Sequence, residues 1–154
     1  MSLRTGKRKR SEKRQYLMAR TYLGQYAISK KHLERIELKI FNLRSLLTDN
    51  SMHLSDAYHG NGRGYIKNRQ ETLAAEIDEL EREAAEARQK ADSIRIEIGE
   101  TICKIEDPIV QKVLMLHYLE SMSLSKTARK INYGKTHTFR LNETGLSELE
   151  RLLK

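Results

Sequence analysis

The sequence has few of the residues that build large cores or covalent cross-links. Its 154 residues include no Trp, two Phe, one Pro and one Cys. A lone Cys103 cannot form an internal disulfide, so we expect a reducing compartment, the cytoplasm. No apolar run approaches the ~18 residues of a membrane-spanning helix, and no apolar stretch follows the charged N-terminus as in a secretory signal. We therefore expect neither secretion nor a membrane partner.

The composition favours helices over strands. Charged residues make up 32% of the chain and hydrophobic residues 38%, which is enough for only a thin core. The charge is uneven, because residues 1–14 carry seven Lys or Arg and one Glu, whereas residues 71–107 carry five basic and twelve acidic residues. With a net charge of +8, two basic ends around an acidic middle favour a polyanionic partner.

No pattern in the sequence indicates catalysis, so we expect no enzyme and no cofactor. Neither the dinucleotide-binding motif nor the P-loop occurs. Cys103 has no evident His or Asp partner and is expected to be buried, and His117 is expected at the edge of the core. One loop holds two Asp and two His, but their spacings match no standard metal site. Those four residues are Asp49, His53, Asp56 and His59.

Residues 15–106 are predicted to form a long antiparallel helical hairpin of the coiled-coil type. Two sets of residues, apolar except for Ser29, recur at alternating spacings of three and four, which is a heptad pattern. Residues 48–65, rich in Gly, Asn, Asp and Ser, are predicted to be the connecting loop. The first set is Ala19, Tyr22, Tyr26, Ser29, Leu33, Ile36, Ile40, Leu43 and Leu47. The second is Leu73, Ile77, Leu80, Ala84, Ala87, Ala91, Ile94 and Ile98, and Ile105 lies in phase one heptad further on.

Two properties of this region stay open at the level of sequence. A two-helix hairpin buries little by itself, so we expect a homo-oligomer through the long helices. Residues 1–14 are predicted to be a disordered basic tail, which either contacts phosphates or is a solvated end. The purpose of the loop and the number of copies do not follow from the sequence.

Residues 107–154 are predicted to form three helices in a helix-turn-helix plan. Asp107 and Pro108 are typical of a helix start, and this helix should run to about Leu119. Ser123 should cap a short helix that ends near Ile131. Asn132 to Gly134 form the turn, and the last helix runs from about Lys135 to Leu153. Ala128 supplies the small residue where the two helices touch, and Tyr133 and Leu141 are expected to pack after the turn.

The last helix is predicted to enter the major groove of DNA with its N-terminal part. Arg140 suits a guanine, Phe139 a thymine methyl group, and Lys135 a phosphate. The alternative is a small helical bundle with a solvated basic face. The predicted DNA-binding residues are Lys126, Arg129, Lys130, Lys135, Thr136, His137, Phe139 and Arg140.

The C-terminal part of the chain resembles sigma-factor region four, in which a scaffold helix precedes a helix-turn-helix. The likeness rests on Asp107-Pro108, on VLMLHYLE at 113–120 and on SLSKTARKINYGKTHTFRLNETGLSELERLL at 123–153. Four positions depart from that pattern, where Asn replaces the usual Gly, Thr twice replaces an apolar residue, and a Gly lies inside the last helix. These are Asn132, Thr127, Thr138 and Gly145.

The order of a basic start, a long hairpin and this module is similar to the ArpU/RinA-like phage regulators of late transcription, over about residues 16–153. The resemblance implies an activator of phage or prophage packaging and lysis genes in the cytoplasm of a bacterial host, with double-stranded DNA and host RNA polymerase as partners.

The sequence leaves two other functions open. Small terminase subunits, which package DNA, also join a helix-turn-helix to an oligomerising hairpin, but they assemble into rings. A coiled-coil adaptor would have no DNA role and no salt-dependent DNA affinity. The mass in solution distinguishes a ring-forming terminase subunit from a regulator. A DNA-binding measurement distinguishes a coiled-coil adaptor from a regulator.

Overall fold

The computed structural model describes residues 16–53 and 63–154, and the side chains of residues 16–48 and 69–154. Every regular element in this part of the chain is a helix, which confirms the predicted all-α class. In chain order these are α1 (Leu17–His53), α2 (Arg63–Ile102), α3 (Pro108–Leu114), a π-helical turn (Met115–Leu119), α4 (Leu124–Lys130) and α5 (Lys135–Leu152).

The described residues fall into two compact units. One comprises the residues up to Ile28 together with Asp92–Lys154, and the other is Ser29–Ala91. Packing therefore groups the ends of the hairpin with the C-terminal helices, whereas the sequence placed the domain boundary between residues 106 and 107. The predicted basic tail, residues 1–14, lies outside the described residues.

The Ser29–Ala91 unit contains an antiparallel pair of helix segments. Ile36 and Ile40 of α1 pack with Ile77 and Ala84 of α2. Five further members of the predicted heptads are partly buried against this core, and they are Leu33, Leu43, Leu47, Leu80 and Ala87. Ion pairs join Arg44 to Glu81 and Glu37 to Arg88, so that residues further along α1 meet residues earlier in α2. The heptad pattern and the antiparallel pairing are confirmed here.

The predicted loop of residues 48–65 is too long. Helix α1 continues to His53 and α2 already begins at Arg63, so only residues 54–62 lie between them. The apolar period does stop at Leu47. Nothing between Thr48 and His53 breaks a helix, however, because this stretch contains neither Gly nor Pro. Loss of an apolar stripe marks the end of a buried face, not the end of a helix.

The other unit holds the larger core. Ala19 and Leu23 of α1, Ile98 and Ile102 of α2 and the apolar faces of the C-terminal helices are buried together. Leu23 is fully buried although it lies outside the predicted heptad. Tyr22, which the heptad included, is only partly buried, and its hydroxyl lies 2.9 Å from Thr101 Oγ1. Burial raises the Tyr22 pKa above its usual value.

The predicted start of α3 is confirmed. Asp107 Oδ1 accepts hydrogen bonds from the backbone N–H groups of Ile109 and Val110, at 2.8 and 3.4 Å, and Pro108 occupies the first turn. The Gln111 amide donates to the Ile105 carbonyl at 2.5 Å. Together these bonds fix the connection between α2 and α3.

Helix α3 does not run unchanged to Leu119 as predicted. It ends at Leu114, and residues Met115–Leu119 form a π-helical turn. The wider turn accommodates one extra residue, and Leu116 and Leu119 within it are both buried. After it, Ser121 adopts a left-handed conformation with φ 55°, and the Met122 N–H donates to the Leu116 carbonyl at 3.0 Å.

The expected burial of Cys103 is wrong. Cys103 is exposed, whereas its neighbours Ile102 and Ile105 are buried. Helix α2 ends at Ile102, so Cys103 follows the helix and no longer shares its apolar face. His117 is half-buried as expected, with Nδ1 2.6 Å from the Met122 carbonyl oxygen. Within the described residues, no helix combines the length and apolar character needed to cross a bilayer.

Candidate nucleic-acid interface

The turn between α4 and α5 is a closed helix C-cap. Asn132 has a left-handed φ of 59°, the Tyr133 N–H donates to the Ala128 carbonyl at 2.9 Å, and the Asn132 N–H donates to the Arg129 carbonyl at 3.3 Å. These two bonds form the Schellman motif, in which glycine or asparagine suits the left-handed position. Asn132 therefore performs the task of the usual glycine, and the turn predicted at residues 132–134 is confirmed.

Small side chains are buried on both α4 and α5. Ala128 is buried as predicted, and Thr127 and Thr138 are fully buried. The Thr138 hydroxyl donates to the Gly134 carbonyl at 3.1 Å, so it is satisfied by its own helix. The Thr127 hydroxyl has no hydrogen-bond partner among the described residues. The two threonines thus fill positions where an apolar residue was expected, at an energetic cost only for Thr127.

Helix α5 has two faces of opposite character. Its buried side chains recur at helical spacing along one side, at Thr138, Asn142, Gly145, Leu146 and Leu149. The first turns of the other side are exposed and carry Lys135, Thr136, Phe139 and Arg140. The aromatic ring of Phe139 is a large apolar group with 53% of its surface in water. Exposed apolar and cationic groups together are suited to a base edge and a phosphate.

Helix α4 adds a second row of cations. Lys126, Arg129 and Lys130 are all exposed and lie three and four residues apart, on one side of the helix. Between Ser121 and Asn142 the sequence holds five Lys or Arg and no acidic residue. None of these five cations forms an ion pair within the part of the chain that the structure describes. Their charge is therefore available to a polyanion.

A shallow depression of about 370 Å³ lies between the starts of α4 and α5. Lys135, Thr136 and Phe139 line one side of it, and Leu124 and Ser125 line the other. The structure thus brings three predicted residues together with two that the sequence did not indicate. The sequence could have indicated Leu124 and Ser125, because they directly follow the predicted helix cap Ser123 and therefore lie at the start of α4. The Ser123 hydroxyl accepts a hydrogen bond from the Lys126 N–H.

His137 lies apart from the depression. Its ring contacts Tyr133, with 5.1 Å between the ring centroids. Tyr133 was expected to pack beneath the turn, but 40% of its surface is exposed. Leu141 packs against the core as expected. The side chain of Tyr133 therefore extends the exposed surface beyond α5 itself.

Polar contacts hold α5 in place behind its exposed face. Glu143 of α5 forms an ion pair with Arg20 of α1 at 3.1 Å. Asn142 interacts with Tyr118 of the π-helical turn through its amide, but its side-chain oxygen is buried without a hydrogen-bond partner among the described residues. Burial raises the pKa of Tyr118, and the nearby Arg20 and the Asn142 bond oppose that rise. Because Tyr118 is neutral in the physiological range, it serves as a hydrogen-bonding side chain in a mostly apolar setting.

No metal site occurs among the described side chains, because no three His, Cys, Asp or Glu cluster there. The loop considered for a metal, Asp49, His53, Asp56 and His59, lies outside the residues whose side chains are described.

The fold and this surface together define the class of protein. It is an all-helical protein with an exposed cationic surface on α4, the turn and the start of α5. The family is shown by comparison, because the family model "Protein of unknown function (DUF1492)" matches residues 46–150. The chain belongs to this family. No curated protein and no solved structure matches the chain significantly.

Proposed function

We propose that the protein binds double-stranded DNA through the surface formed by α4, the turn and the start of α5. One observation carries this proposal, namely five exposed cations on these elements with no acidic residue from Ser121 to Asn142. Phosphate neutralisation by Lys and Arg supplies much of the affinity of DNA-binding proteins.

The two helices have different roles in this proposal. The N-terminal turns of α5 enter the major groove, with Arg140 bonding a guanine and Phe139 contacting a thymine methyl group. Lys126, Arg129 and Lys130 of α4 and Lys135 of α5 hold the duplex by its phosphates. Thr136 lies between these groups and reaches either a base edge or a phosphate. The Glu143–Arg20 ion pair fixes the orientation of α5.

We further propose that DNA binding serves transcription, as activation of phage or prophage late genes for packaging and lysis. This part rests on the resemblance of residues 107–153 to sigma-factor region four and on the order of hairpin and DNA-binding module. Host RNA polymerase is the protein partner that such a role requires, and the bacterial cytoplasm is the setting. The proposal includes no catalytic step.

In vitro selection from a random duplex library tests this function. We expect one enriched sequence, and we expect a scrambled duplex to bind about a thousandfold more weakly at physiological salt. The four phosphate contacts predict that the logarithm of the binding constant falls with log salt at a slope of about −3 to −4. Equal affinity for scrambled DNA contradicts sequence-specific regulation, and no affinity at low salt favours the adaptor.

Light scattering on the selected complex separates a regulator from a packaging protein. A regulator with two half-sites holds two copies on sites ~34 Å apart or a multiple of that spacing. A ring of about eight or more copies with DNA favours the terminase-like alternative, because a ring requires a head-to-tail contact that closes on itself.

A further inference from the structure

An apolar patch lies on the side of α1 that points away from the hairpin core. In the Ser29–Ala91 unit, Leu38 and Phe41 are 60% and 67% exposed, one helical turn apart. The core side chains Ile36 and Ile40 of the same helix are buried against α2. A contiguous exposed apolar patch is a candidate contact surface.

Leu38 and Phe41 are the two apolar members of a row of residues at heptad spacing on α1, which we call the second-heptad row. Its members are spaced three and four residues apart, and they are Lys31, Glu34, Leu38, Phe41, Ser45 and Thr48. The Ser45 hydroxyl donates to the Phe41 carbonyl at 3.1 Å, and the Thr48 hydroxyl donates to the Arg44 carbonyl at 2.9 Å. Because both hydroxyls already donate to backbone carbonyls, removing Ser45 and Thr48 from water costs little free energy.

The core of this unit is thin. Its buried side chains are Ile36 and Ile40 of α1 and Ile77, Ala84 and Ala91 of α2, and none of these is aromatic. A pair of helices covers one stripe of each helix and leaves the outer stripe in water. A second apolar contact along α1 would therefore add substantially to the buried surface of the hairpin.

We propose that the second-heptad row is an interface between two copies of this chain, in which α1 packs antiparallel against α1 of the other copy. The midpoint lies between Leu38 and Phe41, so that Leu38 of each copy contacts Phe41 of the other. This contact is isologous and closes after two copies, because the same patch is used on both sides.

The charges along the row fit this register. With Leu38 opposite Phe41, Glu34 faces Ser45 and Lys31 faces Thr48 of the second copy. Each charged side chain thus faces an uncharged residue, and no like charges face each other along the row. Arg44, which flanks the row, is already paired with Glu81 in its own hairpin. A parallel arrangement in register would place Lys31 against Lys31 and Glu34 against Glu34, which repel.

Sedimentation equilibrium of the full chain, without DNA, tests the interface. We expect a monomer–dimer equilibrium, and Phe41→Glu should raise the dimer dissociation constant about tenfold or more, because it places a carboxylate in an apolar contact. Leu46→Glu is the matched control, since Leu46 is exposed on the same helix but lies outside the row. Circular dichroism of both variants checks that helicity is retained, and Phe41→Ala provides a milder test without a new charge.

Disulfide trapping tests the register independently. In a Cys103→Ser background, a mixture of Leu38→Cys and Phe41→Cys chains should cross-link under mild oxidation, whereas Leu46→Cys chains should not. A chain that stays monomeric, a dimer unaffected by Phe41→Glu, or a larger ring overturns the proposal. The interface is independent of the DNA proposal, because these measurements contain no DNA and leave the α4 and α5 surface unchanged.

Discussion

The carboxylate of Glu150, in the last helix, accepts a hydrogen bond from the backbone N–H of Ala19, in the first turn of α1, at 2.8 Å. A helix begins with N–H groups that have no acceptor within the helix, and a side chain from elsewhere satisfies one of them here. The negative charge also lies at the positive end of the α1 dipole. The end of α5 therefore caps a helix that begins more than a hundred residues earlier.

Removal of this cap should destabilise the protein. We expect Glu150→Ala to lower the free energy of unfolding by about 1 kcal/mol, as for the loss of an N-cap. Glu148→Ala is the control, because Glu148 is near it on the same helix and makes no such bond. Urea unfolding of both variants measures the difference, and equal midpoints would show that the Ala19 bond contributes nothing.

Gly145 should not tolerate alanine. A Cβ at this position would lie 2.8 Å from Leu114 Cδ1 and 2.8 Å from Val110 Cγ1, since α3 and α5 approach closely there. We expect Gly145→Ala to destabilise by about 1–3 kcal/mol through overpacking. Gly24→Ala should instead stabilise by about 0.5–1 kcal/mol, because a Cβ at position 24 meets nothing within 4 Å and alanine favours a helix. Thermal unfolding should move in opposite directions for the two variants.

The two buried threonines should respond differently to valine. Thr127→Val removes a buried hydroxyl that has no partner among the described residues, so we expect about 1 kcal/mol of stabilisation. Thr138→Val removes a bond to the Gly134 carbonyl and should cost up to about 1 kcal/mol. Urea unfolding measures both changes in the free energy of unfolding, from the shift in the midpoint at an unchanged m-value. Destabilisation by Thr127→Val would reveal a hidden acceptor for its hydroxyl.

Tyr118 should make the protein sensitive to alkaline pH. Burial raises its pKa in the folded state above the ordinary value of about 10, so the folded state holds the phenolic proton more tightly than the unfolded state does. Stability from this group is therefore complete below pH ~10 and decreases as the pH rises above it. The melting temperature of the wild type should fall more steeply between pH 9 and pH 11 than that of Tyr118→Phe. Parallel curves would contradict this assignment.

The sequence predicted local features well because local chemistry determines them. Asp107, Ser123 and Asn132 each act through backbone groups within a few residues, so their roles as two caps and a turn were readable from residue type and position. The heptads likewise predicted most of the buried side chains of α1 and α2, but they missed Leu23 and Ile102. The ends of the long helices were missed, since polar residues such as Thr48 continue a helix without leaving a periodic signal.

Contacts between distant segments were not predictable in the same way. No local rule links Glu150 to Ala19 or Arg20 to Glu143, because both pairs depend on how the C-terminal helices pack onto the start of α1. Gly145 appeared to be a defect in the last helix until the approach of Leu114 gave it a reason. The exposure of the candidate site was predicted, but the depression with Leu124 and Ser125 needed the packing of α4 against α5.

One measurement tests most directly whether the exposed start of α5 reads DNA sequence. It is the ratio of affinities for the selected duplex and a scrambled duplex, compared between Lys135→Ala/Arg140→Ala and Lys104→Ala/Lys112→Ala. Both double variants remove two exposed positive charges, but only the first changes the proposed interface. We expect the first to lose most of the sequence preference with unchanged helicity, and the second to keep it. An unchanged preference in the first variant would contradict recognition through α5.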